Sequence, residues 1–159
     1  MENLHTVGKM SIPFDAIVCD CNCFVDQGGV TKKIHEMYPE AHYADDLFVM
    51  EQGWDRLGNC SFANVTIDGR KVIIGNLYGQ VYYGELDSHY VKYFSLREAF
   101  RMFVGKVKCL GQLHDNFVVV CPWNMGLDTE CESVMHIEAM MEKVAKAYPN
   151  IEFYMVKTI

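Results

Sequence analysis

Residues 117–121, FVVVC, are five apolar residues in a row with no polar alternation. A strand with one wet face alternates apolar and polar side chains, so this run predicts a strand buried on both faces. Such a strand belongs in the middle of a sheet that has helices packed above and below it. The rest of the chain supplies what that requirement demands. FDAIVC (14–19) is a second apolar strand, and VTIDGRKVIIGNLY (65–78) predicts two strands joined by Asp68-Gly69, a tight-hairpin signal. IEFYMV (151–156) predicts a strand alternating inward and outward.

Helices are expected between these strands. In VTKKIHEMY (30–38), Val30, Ile34 and Met37 fall at helical spacing, and Pro39 helps to stop the helix. Ser95 is the expected N-cap of LREAFRMFVGKV (96–107), with Glu98 completing a capping box and Leu96, Ala99, Phe100 and Phe103 forming an apolar stripe. VMHIEAMMEKVAKAY (134–148) is a last helix, apolar at Met135, Ala139, Met140, Val144 and Ala147. Residues 41–59 are expected to be irregular, and residues 75–90, rich in glycine, tyrosine and polar residues, to form a loop. Strands alternate with helices, with no repeat and no linker. The expectation is one α/β domain over residues 1–159 with a parallel or mixed sheet.

Composition narrows the function classes. The formal net charge is −7, and no basic run marks a surface that would neutralise many phosphates. Bulk nucleic-acid binding is therefore not expected, and Lys32-Lys33 are expected on a solvated helix face. No apolar run reaches the roughly 20 residues needed to span a bilayer. The first residues lack the pattern of a signal peptide, so a cytoplasmic protein is expected. Of the seven cysteines, Cys19, Cys21 and Cys23 share one face of a strand. Their spacing is not that of paired zinc ligands, and reduced core residues are expected rather than a metal site. No cofactor is implied.

In an open α/β sheet, ligands sit in the crevice at the carboxyl ends of the strands. Two loops leave strong strands at that edge: CDCNCFVDQGG (19–29) and PWNMGLD (122–128). Backbone N–H groups in such loops and at a helix N-terminus can hold a phosphate without basic side chains.

Four segments in this order resemble macro domains: DAIVCDCNCFVDQGGVTKKIHEMYPEA (15–41), IIGNLYGQ (73–80), SLREAF (95–100) and VVVCPWNMGLD (118–128). The first looks like the branch that includes DNA and terminal ADP-ribose glycohydrolases and phage-borne macro domains. The resemblance implies a three-layer α/β/α fold with a mixed central sheet, and ADP-ribose or a derivative as ligand. It implies either hydrolysis of an ADP-ribosyl bond or ADP-ribose 1″-phosphate, or a reader without turnover.

By the same resemblance, Asn22 orients the distal ribose, and Gly28, Gly29 and Val30 wrap the diphosphate with backbone amides. Asn124, Met125, Gly126 and Leu127 close over it from the other side. Tyr78, Gly79 and Gln80 flank the distal ribose, and Trp123 is placed to stack on a base or ribose. Asp128 falls where a catalytic aspartate follows Gly-Leu, and Asp26 is the second candidate for activating water. Lys9 or Met10 stands where many macro domains carry the aspartate that reads adenine, leaving Asp20, beside Cys21, as the substitute. The family's lysine nucleophile has Gly79 or Gln80 in its place. His35 is expected at the surface, and His114 and His136 in structural roles.

Overall fold

In the computed structural model the described residues are 2–25, 27–48, 54–80, 89–126 and 131–158. They form a mixed six-stranded sheet in the order β1-β6-β5-β2-β4-β3. Its members are β1 (Leu4–Val7), β2 (Ala16–Asn22), β3 (Cys60–Ile67), β4 (Arg70–Gln80), β5 (Phe117–Pro122) and β6 (Ile151–Val156). Only the β3–β4 pair is antiparallel. The helices are α1 (Gly29–Met37), α2 (Pro39–Asp46), α3 (His89–Cys109) and α4 (Cys131–Ala147).

The central position expected for FVVVC holds: β5 lies between β6 and β2, and every residue of β2 is buried. The pleat sends alternate residues of β2 to opposite layers. Ala16 and Val18 pack with Leu96, Phe100 and Phe103 of α3 and Met140 and Met141 of α4. Ile17, Cys19 and Cys21 pack with Ile34 of α1 and Ala41 of α2. Two apolar cores, one on each side of a single sheet, make the three-layer α/β/α architecture.

The hairpin signal also holds. Asp68 and Gly69 take φ of 51° and 77°, the left-handed pair that a two-residue hairpin turn requires.

Several boundaries differ from expectation. The chain after Cys19 does not loop out at once: β2 continues through Asn22, carrying the cysteine row inside. Residues 75–80 are strand rather than loop. A Cβ on Gly75 would come within 2.6 Å of the Phe103 ring, so this glycine marks the close approach of α3 to the sheet. Pro39 ends α1 but also opens α2 from its first turn, so residues 41–46 are helical instead of irregular. Ser95 is not an N-cap: α3 starts at His89, and Ser95 is buried within it. Glu98 pairs with Arg101 at 2.7 Å instead of closing a capping box. In α4 the buried face is Ile137, Met140, Met141, Val144 and Ala145, while Ala139 and Ala147 face out.

Candidate functional site

The parallel strands β2 and β5 run side by side, so the loops that follow them emerge at the same edge. After β2 comes a turn in which the Phe24 N–H donates to Asn22 Oδ1 at 2.9 Å. Val25 then takes φ of 59°, a left-handed conformation that is strained for a β-branched residue. The chain enters α1 through Gly28 and Gly29 (φ 55°), and the N-cap, Gly28, has no side chain with which to cap the helix. Its first N–H groups have no acceptor within the helix. After β5, residues Trp123–Gly126 make a single 3-10 turn with buried Met125 at φ 51°. That turn touches α1, β2 and β6. Among the described residues, each of the two loops thus holds one non-glycine residue in a left-handed backbone, and strain of this kind collects at ligand clamps.

Of the elements that carry the candidates, β2, which ends at Asn22, and α1, which holds Gly29 and Val30, each touch the Trp123–Gly126 turn. Asp26, Leu127 and Asp128 lie outside the described residues. Gln80 ends β4 in register with Asn22, across a shift between Cys21 and Asn22. Lys157 sits over the Trp123 ring at 5.1 Å, so one face of that indole already carries a cation.

The remaining candidates point inward and separate onto the two faces of the sheet. Asp20 lies toward α3 with both carboxylate oxygens buried. A Cβ on Gly79 would meet Asp20 Oδ1 at 2.6 Å and Leu96 Cδ1 at 2.9 Å. Cys21 and Tyr78 face the other layer, where Cys21 Sγ lies 3.6 Å from Asn76 Oδ1. The Tyr78 hydroxyl donates to Asp45 Oδ1 at 2.8 Å and lies 2.9 Å from Ser61 Oγ. Burial, then the Asp45 charge, pushes the Tyr78 phenol up, so it stays neutral and donates.

Behind the loop lies a polar network that the sequence did not reveal. Arg56 Nη1 donates to Asp45 Oδ1 at 3.0 Å and to the Asp45 carbonyl at 2.9 Å. The Gln27 amide nitrogen donates to Asp45 Oδ2 at 3.0 Å. His35 is buried, not at the surface as expected, because α1 turns that face onto β4. Its Nε2 donates to Asn76 Oδ1 at 2.8 Å, which leaves Nδ1 as a buried acceptor without a partner. Burial lowers the His35 pKa, favouring the neutral ring. Asn76, polar and inward in the apolar run VIIGNLY, was the one sequence cue to this network; Asp45 and Arg56 gave none.

His114 is exposed and lies 3.2 Å from Asp15, and His136 is exposed with its ring 5.3 Å from Tyr93. Lys32 and Lys33 are exposed as expected. Cys19, Cys21, Cys23, Cys60 and Cys121 are buried and Cys109 is exposed, and burial holds Cys19, Cys21 and Cys121 protonated. Among the described residues, no group of three metal-binding side chains occurs, and no helix is long and apolar enough to cross a membrane.

No protein-family model and no curated protein matches this sequence. Solved structures do. The macrodomain of Thermus aquaticus DarG superposes with a TM-score of 0.70 at 14% identity, over 97% of each chain. The macrodomain of Mycobacterium tuberculosis DarG gives 0.71 at 13%, over 98% of each. A protein of unknown function from Bacteroides thetaiotaomicron gives 0.68 at 12%, over 97% of this chain and 98% of that one. The fold is that of a macrodomain.

Proposed function

We propose that this chain binds ADP-ribose or a close derivative in the crevice between the loop after β2 and the turn after β5. The observation that carries the reading is the meeting of α1, entered through Gly28, with the Trp123–Gly126 turn at the carboxyl edge of two parallel strands. Backbone amides at a helix N-terminus favour a diphosphate even on an acidic protein. In this reading Gly28, Gly29 and Val30 hold the diphosphate from one side and Asn124, Met125, Gly126 and Leu127 from the other. Asn22 orients the distal ribose, flanked by Gln80, and Trp123 stacks on a base or ribose.

Turnover is the fuller form of the proposal: Asp128 or Asp26 activates water at the anomeric carbon or at a 1″-phosphate. A second reading, a reader without turnover, has its own support. Among the described residues around Asn22, the Cys19 and Cys21 thiols are held protonated, the Tyr78 hydroxyl is engaged by Asp45, and His35 Nε2 is engaged by Asn76. None of these groups is poised as base or nucleophile, so turnover rests on the two aspartates.

Calorimetric titration with ADP-ribose at physiological salt tests the proposal. Saturable one-to-one binding supports it, and turnover is then assayed on ADP-ribosylated protein, on ADP-ribosylated DNA and on the 1″-phosphate. No heat of binding up to millimolar ligand ends the ADP-ribose reading and leaves only the fold.

A further inference from the structure

The backbone of Asn22 ends β2, still paired with Gln80 of β4 but beyond the reach of β5. Pairing between β2 and β5 ends at Ile17 and Val120, and pairing with β4 shifts register between Cys21 and Asn22. The Gln27 side chain takes over. Its Oε1 accepts the Asn22 N–H at 2.9 Å, and its Nε2 donates to the Asn22 carbonyl at 3.2 Å. This two-point contact is what a neighbouring strand would provide. The same Nε2 also donates to Asp45 Oδ2 at 3.0 Å. Asp45 is in turn fixed by Arg56, which further donates to the Phe48 carbonyl at 3.3 Å. Both N–H donors of the carboxamide and one acceptor site of its oxygen are therefore used, and a continuous chain of contacts runs from Asn22 to a buried ion pair.

We infer that Gln27 is a positioning residue: it sets the backbone of Asn22, and so the aim of the Asn22 side chain at the distal ribose. This rests on the ADP-ribose reading above. Gln27 is only half-buried, and Asp45 retains Arg56 and Tyr78 when the amide is removed. Truncation therefore loosens the turn and leaves the core in place.

The contrast between two ligands separates this role from a general structural one. ADP has the adenosine diphosphate but no distal ribose, so it makes no contact that Asn22 aims. Gln27→Ala is expected to weaken ADP-ribose binding about tenfold, the scale of one lost hydrogen bond, while ADP affinity stays at the wild-type value. The Asn22 amide is expected to exchange with solvent faster in the variant, with a melting temperature close to wild type. Equal losses for both ligands, or no loss for either, overturn the inference. If the wild-type protein binds no ADP-ribose, the proposed function fails on its own. Exchange at the Asn22 amide then decides the role of Gln27: acceleration sustains its hold on the turn, and an unchanged rate removes it.

Discussion

The Arg56 guanidinium meets the Asp45 carboxylate at 3.0 Å with 2% and 0% of the two side chains exposed. The pair also carries a cation–π component, since Arg56 lies 5.3 Å from the centroids of both the Phe48 and Tyr78 rings. Removing one partner strands the other charge in the interior, which costs about 3–5 kcal/mol. Arg56→Met is expected to lose that much in urea denaturation. Adding Asp45→Asn to it is expected to recover part of the loss. A double variant that is less stable than the single one would show that the two residues act independently.

Gly75 and Gly79 are held by packing. Gly75→Ala forces a methyl group against the buried Phe103 ring, and overpacking of this kind costs about 1–3 kcal/mol. Phe103→Leu opens space beside Gly75, so the alanine is expected to cost less in that background than in wild type. Thermal unfolding of the four proteins in this cycle measures the coupling, and simple additivity would contradict the contact.

His35 gives stability a pH dependence of known sign. Its folded pKa lies below the unfolded value of about 6.5, so the unfolded chain binds a proton that the folded one resists. Its contribution is intact above that value and is lost as pH falls below it. Asp45 opposes the shift and His42 reinforces it, but burial dominates. Comparison of denaturation midpoints at about pH 7.5 and about pH 5.5 is expected to show a steeper decline for wild type than for His35→Gln. Parallel declines would assign the effect to other groups.

If the domain turns over its ligand, Asp128→Ala is expected to lower the rate by about 10²–10⁴-fold, the usual share of acid–base catalysis. ADP-ribose affinity and melting temperature are expected to stay near normal. A variant that melts early instead identifies Asp128 as a stabilising acid at the start of α4.

Thiol reactivity reports on the cores. Cys109 is exposed, whereas burial raises the Cys60 pKa to about 11 against the opposing pull of Lys106. N-ethylmaleimide under native conditions is expected to label Cys109 and to spare Cys19, Cys21, Cys23, Cys60 and Cys121 until the protein unfolds. Mass spectrometry that finds β2 cysteines labelled in the native state would contradict the buried row.

The sequence disclosed the elements whose local pattern and tertiary setting agree. FVVVC, FDAIVC and the Asp68-Gly69 hairpin are of this kind, because apolar content and turn chemistry point the same way. It concealed those whose setting overrides the pattern. PEAHYADD has a weak apolar face, and its proline opens a helix as readily as it closes one. LHTV is four residues long and becomes a strand only by pairing with β6. Glycines 75 and 79 look like breakers, yet they stay in β4 because α3 and Asp20 come too close for a side chain. The loops were visible from their glycines. The Gln27–Asp45–Arg56 linkage was not, because it joins residues 18 and 11 positions apart through side-chain geometry alone.

The glycine entry to α1 has a consequence for how such a chain can change over generations. Where main-chain groups face the ligand, selection acts on the path of the backbone and only weakly on what each residue carries beyond Cβ. Substitutions can accumulate in these loops as long as the turn keeps its course and no side chain folds back to occupy the helix end. Shape is then inherited more faithfully than spelling.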